Sequence, residues 1–150
     1  MTLSPTIHAS AVLVGARAVL IRGPSGSGKS RLAMRLIQAA DQGLLRFARL
    51  VADDRCHLEV AHGRLLVRPA EALKGMIEVH GLGLRGLPYE PVALVSTVID
   101  VGLISTHRLP LASEEWADLE GLRLPRLAVA AGQEPLPLVL AYLRTRAIPT

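Results

Sequence analysis

Eight consecutive residues, Gly23-Pro24-Ser25-Gly26-Ser27-Gly28-Lys29-Ser30, constrain this chain more than any other stretch. They fill every fixed position of G-x-x-x-x-G-K-[ST], a phosphate-binding loop when it lies between a strand and a helix. The flanks meet that condition. Ala18–Ile21 is an apolar run of strand length, and Leu32, Met34, Leu36 and Ile37 follow at roughly helical spacing. Glycines let successive backbone N–H groups turn inward into a concave anion site, and the helix N-terminus adds its positive dipole end. Lys29 is then placed to reach the β- and γ-phosphates of a nucleoside triphosphate, and the Ser30 hydroxyl to ligate Mg²⁺. Gly23 to Ser30 are thus the expected cofactor-binding residues.

The rest of the chain reads as one α/β domain spanning residues 1–150, with a core from about 6 to 143. Thr6–Val14 and Ala18–Arg22 form a hairpin around Gly15-Ala16-Arg17 that leads into the loop. The helix from Lys29 runs to about Ala40, closed by Asp41-Gln42-Gly43. Phe47–Ala52 is a further apolar run. His57–Val60 and Leu65–Val67 flank Ala61-His62-Gly63 as a second hairpin. Pro69–Met76 holds at most one helical turn, around Ala70–Leu73. Val92–Val101 is a β-branched buried strand, Ser113–Leu119 a short helical or irregular segment, Leu127–Ala130 a strand and Pro135–Arg144 a closing helix. The order is not a clean βαβαβ alternation, so a mixed sheet is expected.

Half the 150 residues are hydrophobic but only 3% aromatic, so aliphatic side chains must fill the interior. No apolar run is long enough to span a bilayer, and Cys56 alone cannot form an intrachain disulfide, which fits a cytoplasmic protein. The net charge is +4, carried almost wholly by arginine. Those arginines are scattered and not interleaved with aromatics, which argues against nucleic acid. A basic rim suits an acidic protein partner or the triphosphate itself.

Mg²⁺ prefers hard oxygen ligands, and an apolar strand ending in a carboxylate is a usual source. Leu50-Val51-Ala52-Asp53-Asp54 has that form. One aspartate would hold the metal while the other activates a nucleophile, their environments dividing the labour. Glu78, in Ile77-Glu78-Val79-His80, reads either as a second metal ligand or as a surface glutamate on a strand edge. Gly81-Leu82-Gly83-Leu84-Arg85-Gly86 matches G-x-G-x-x-G, but Leu87-Pro88-Tyr89-Glu90-Pro91 cannot open the required helix. A flexible glycine-rich loop is the better reading. The five histidines lack metal-ligand spacing. His8 stands apart, because its strand pairs with the one entering the loop and could set it against Asp53.

Together, Ile7-His8, the loop Gly23–Ser30, Val51-Ala52-Asp53-Asp54 and Glu78-x-x-Gly81-x-Gly83 resemble the catalytic domain of bacterial HPr kinase/phosphorylase. The resemblance covers about Thr6 to Leu143 and looks like the short form found in alphaproteobacteria, without the N-terminal domain. It implies a mixed sheet similar to the nucleotide-binding core of phosphoenolpyruvate carboxykinase. It also implies ATP- and Mg²⁺-dependent phosphorylation of a serine on HPr or an HPr-like phosphocarrier of the phosphotransferase system, within carbon and nitrogen regulation, by a homo-oligomer. By this resemblance Asp53 is the base, His8 assists it, and Lys29 neutralises the phosphates. Ser30 and Glu78, with Asp54 alongside, hold Mg²⁺.

Two positions depart from the family pattern. His80 stands where many members have arginine, and Ala131-Gly132-Gln133-Glu134 replaces a Pro-Gly-Arg-Asn-like stretch. Neither a histidine nor a glutamine replaces a guanidinium fork. The reverse, phosphorylase reaction is therefore not expected. The competing expectations are a nucleotide-sensing regulator of the same fold and a P-loop small-molecule kinase.

Overall fold

The structure is a computed structural model that describes residues 4–149. The first hairpin pairs β1 (Ala9–Val14) with β2 (Arg17–Arg22) antiparallel, Ala9 opposite Arg22 and Val14 opposite Arg17. β3 (Ala48–Ala52) adds antiparallel to the other edge of β1. β4 (Cys56–Ala61) and β5 (Arg64–Pro69) form the second hairpin. A 3-10 turn over Glu71–Leu73 then leads to β6 (Met76–Val79) and β7 (Gly83–Gly86).

β8 (Ala93–Leu103) runs parallel to β2 and is the spine of the sheet. β9 (Trp116–Leu119) and β10 (Leu122–Ala130) complete it, with β10 parallel to β8. The strand order is β3-β1-β2-β8-β10-β9, and β5 also pairs with β8. The sheet is mixed, as the sequence led one to expect.

Alternation along β2 divides the core between the two faces. Val19 and Ile21 pack with Ile99 and Val101 against α1 (Lys29–Asp41), whose Leu32, Ala33 and Leu36 are fully buried. The spacing i, i+1, i+4 puts these three on one helical stripe, and each buried leucine contributes about 1.5–3 kcal/mol. On the opposite face Ala18 and Leu20 meet Leu58 of β4 and Leu65 and Val67 of β5, so the second hairpin covers what the helix does not. α2 (Pro135–Arg144) opens with proline in its first turn and adds Val139 to the helix-side core.

Four segments differ from expectation, the first being β1, which starts at Ala9 and not at Thr6, so that His8 stands just before the strand and not in it. Gly83–Gly86 is not a flexible loop: its backbone pairs antiparallel with β6, Glu78 opposite Leu84. Trp116–Leu119 is a strand, and only Ala112–Glu115 before it coils into a 3-10 turn. β10 starts at Leu122, five residues earlier than expected. Its first half pairs with the edge strand β9 across Pro125, a position where a missing N–H is tolerated.

Candidate active site

The glycine-rich loop Gly23–Ser30 links the buried strand β2 to α1. Gly28 caps the helix in the left-handed region (φ 94°), a conformation that favours glycine, and its carbonyl accepts the Leu32 N–H at 2.9 Å. Gly23 is required for another reason. A Cβ built there would lie 2.5 Å from Ser27 Oγ and 2.7 Å from the Val101 carbonyl oxygen. The loop therefore packs directly on the C-terminal end of β8. Pro24, Ser25 and Gly26 form its exposed rim, and the Ser27 N–H donates to the Pro24 carbonyl at 3.1 Å. Ser27 Oγ is buried without a hydrogen-bond partner.

Lys29 is 8% exposed, and its ammonium donates to the carbonyls of Gly23 (2.8 Å) and Pro24 (3.2 Å). The cation is thus held inside the loop by two neutral acceptors, which an anion would outcompete. The unpartnered Ser27 hydroxyl lies in the same loop. These groups fit a polyphosphate.

Asp53, at the end of β3, is 5% exposed and accepts three hydrogen bonds. Ser30 Oγ (2.7 Å) and Ser10 Oγ (2.9 Å) donate to its Oδ1, and the backbone N–H of Glu78 (3.1 Å) donates to its Oδ2. A carboxylate offers about four lone-pair sites, so one remains. With its proton given to Asp53, the Ser30 hydroxyl keeps a lone pair for a cation. Among the described residues no three His, Cys, Asp or Glu side chains gather as a metal site. A Mg²⁺ ion, which keeps water and phosphate ligands, needs only Ser30 and one or two carboxylates.

Asp54 has a different environment. Its backbone is left-handed (φ 66°), its side chain is exposed, and its N–H donates to Ser10 Oγ at 3.1 Å. His8 Nδ1 lies 3.9 Å from Asp54 Oδ1. The structure thus sets His8 beside Asp54, whose side chain is exposed while that of Asp53 is buried. Glu78 approaches Asp53 through its backbone, and its own side chain is exposed. His80 is also exposed, and Gln133 Oε1 accepts the Ala130 N–H at 3.3 Å, closing a turn.

Sequence reasoning missed two features. Ser10, fully buried, bridges both aspartates; the available signal was a lone polar residue within the apolar run Ala9–Val14. The second is Asp100 on β8. It takes a bidentate pair from Arg22 (2.8 and 2.9 Å), the residue before the loop, and a further bond from Arg126 Nε. Burial pushes the Asp100 carboxyl up, but the hydrogen bonds and charges of the two guanidiniums outweigh it and hold it below its ordinary value. Arg126 also donates to the Glu114 carbonyl at 3.0 Å, tying the segment before β9 to the strand end.

These elements define an α/β domain in which the glycine-rich loop Gly23–Ser30 joins a central strand of a mixed sheet to a helix. Residues 1–87 match the HPr Serine kinase C-terminal domain family, and the chain belongs to that family. It is 36% identical to an HPr kinase/phosphorylase of Clostridium tetani over 110 residues, 73% of this chain and 32% of that protein. An HPr kinase/phosphorylase of Streptococcus thermophilus is 30% identical over 136 residues, 83% of this chain and 41% of that protein. The chain therefore spans a third to two fifths of the length of these relatives. The solved structure of the Hpr(Ser) kinase/phosphatase from Coxiella burnetii superposes with a TM-score of 0.73 at 23% identity, covering 94% of this chain and 89% of that one. At that identity the likeness establishes the fold, including its mixed sheet. No helix among the described residues is long and apolar enough to cross a membrane.

Proposed function

We propose that this domain is a cytoplasmic serine kinase that uses ATP and Mg²⁺ to phosphorylate HPr or an HPr-like phosphocarrier of the phosphotransferase system. The observation that carries the reading is Asp53, buried at a strand end with the Ser30 hydroxyl on one of its oxygens beside the phosphate loop. The names of its relatives support the acceptor. Gly23 to Ser30 bind the triphosphate, Lys29 leaves the loop carbonyls for its phosphate oxygens, and Ser30 with Asp54 and Glu78 would hold Mg²⁺. That ion supplies charge neutralisation across the phosphates.

The acceptor serine oxygen bonds to the γ-phosphorus, the bond to the β–γ bridging oxygen breaks, and ADP leaves. The serine proton passes to the remaining lone pair of Asp53. Such transfer rests on positioning and electrostatics, and a base adds ~10²–10⁴-fold. The 3.9 Å approach of His8 to Asp54 favours a second assignment within the same reaction, in which Asp54, backed by His8, takes the proton.

Incubation of the organism's own HPr-like protein with this chain and Mg-ATP, followed by intact-mass measurement, tests the reading. A gain of one phosphoryl group is expected, lost in Lys29→Ala and when the acceptor serine becomes alanine. ATP binding without any gain would overturn it in favour of a nucleotide-sensing regulator.

A further inference from the structure

Scattered along the sequence, Arg17, Arg64 and Arg123 meet in space. Each follows a tight hairpin turn: Arg17 opens β2, Arg64 opens β5 and Arg123 is the second residue of β10. The registers explain the meeting. On β8, Val95 pairs with Ala18 of β2, Leu94 with Leu66 of β5, and Val98 with Arg126 of β10. Adjacent strands lie ~4.8 Å apart, so all three arginines stand within side-chain reach of the Leu94–Val95 backbone. There they line one cavity of about 270 Å³, with Leu65 and Val95 buried in its wall.

Among the described residues no carboxylate lines this cavity. Among the described residues Arg17 and Arg64 make no ion pair. Arg123 pairs with Asp118 at 3.5 Å, both side chains largely exposed, a pair of little energetic consequence, and its guanidinium lies 6.0 Å from the centre of the Trp116 ring. Three arginines thus line one opening against a single, largely exposed countercharge. Each presents a fork of donors that matches phosphate or carboxylate oxygens bidentately. The cavity lies at the opposite end of β2 from the phosphate loop, so it is separate from the nucleotide site: β2 begins at Arg17 and ends at Arg22, next to Gly23.

We propose that Arg17, Arg64 and Arg123 form a second anion-binding site, distinct from the phosphate loop, for a small dianion that carries a short apolar part. The guanidiniums take the phosphoryl or carboxylate oxygens, and Leu65, Leu94 and Val95 receive the carbon skeleton. The net local charge near +2 selects dianions over monoanions. The dimensions admit a metabolite-sized ligand and not a polymer.

Titration of the ¹⁵N-labelled chain with phenyl phosphate and, separately, with succinate, followed through backbone amide resonances, tests this site. Either probe should shift the amides of Gly63, Arg64 and Leu124 saturably, and the responding probe tells a phosphoryl from a carboxylate ligand. The shifts should persist in Lys29→Ala, where phosphate binding in the loop is impaired. They should weaken roughly tenfold or more in affinity in R17Q/R64Q, whose exposed side chains carry no core packing. Absence of saturable shifts, shifts confined to residues 23–30, an equal response to chloride, or an affinity unchanged in R17Q/R64Q would each overturn the proposal.

Discussion

Ser10 Oγ donates to Asp53 Oδ1 at 2.9 Å and accepts the Asp54 N–H at 3.1 Å, so one buried hydroxyl sets the direction of two adjacent carboxylates. The β1–β3 ladder pairs Ala11 with Ala52, with a register shift between Ala11 and Val12. Past that pair the Ala9 N–H donates to the Asp54 carbonyl at 3.1 Å, and the Ser10 side chain ties the same stretch a second time. This leaves residue 53 pointing inward and residue 54, with φ 66°, turned out toward His8.

Replacing Ser10 by alanine removes one of three donors to Asp53 and the acceptor for the Asp54 N–H. Groups that orient catalytic or metal-holding carboxylates typically account for ~10–100-fold in activity. Phosphoryl transfer in Ser10→Ala should fall within that range while ATP affinity stays near wild type, since the loop is untouched. Ser10→Thr keeps the hydroxyl and should recover most of the loss. Parallel turnover and equilibrium nucleotide-binding measurements check this; an equal loss in ATP affinity would mark the effect as general disruption.

Asp53→Asn and Asp54→Asn distinguish the two assignments of the proton acceptor. Loss of a catalytic base costs ~10²–10⁴-fold, and the variant that suffers it with ATP binding intact identifies the group. The expected result is the larger loss for Asp53→Asn. If Asp54→Asn is the more severe, with His8→Ala reproducing part of it, the proton goes to Asp54.

The loop, its strand and its helix were legible in the sequence because their requirements are local: glycines at fixed offsets, then an apolar stripe on α1. Asp53 was legible as a strand-end carboxylate. That His8 lies 3.9 Å from Asp54 was not legible, because spacing does not say which of two adjacent aspartates at a strand end turns toward a neighbouring segment. Gly83–Gly86 gave no strand signal, since glycine-rich backbone pairs through N–H and C=O groups without any side-chain pattern. The Arg22–Asp100 pair joins residues 78 apart in sequence through the parallel register of β2 and β8, which no local pattern encodes.

Gly23→Ala tests how tightly the loop is seated on β8. The added methyl would overlap Ser27 Oγ and the Val101 carbonyl, and overpacking of this kind costs about 1–3 kcal/mol. Thermal unfolding should shift down accordingly. Because relief requires the loop to move away from β8, nucleotide affinity should fall as well. An unchanged melting temperature together with unchanged ATP binding would mean that the loop relaxes freely.

Asp100 makes stability depend on acid. Its folded carboxyl titrates below the ordinary value of ~3.9, so it contributes stability that is present above that pH and is lost as pH falls through the lowered folded value. Asp100→Asn removes this contribution and leaves Arg22 and Arg126 without their countercharge. Breaking such a pair on one side costs about 3 kcal/mol. Urea unfolding should therefore show the variant less stable at pH 7, with the gap to wild type narrowing steadily below about pH 4 as the wild-type carboxyl protonates. A gap that stays constant across that range would show that Asp100 acts through packing and not through its charge.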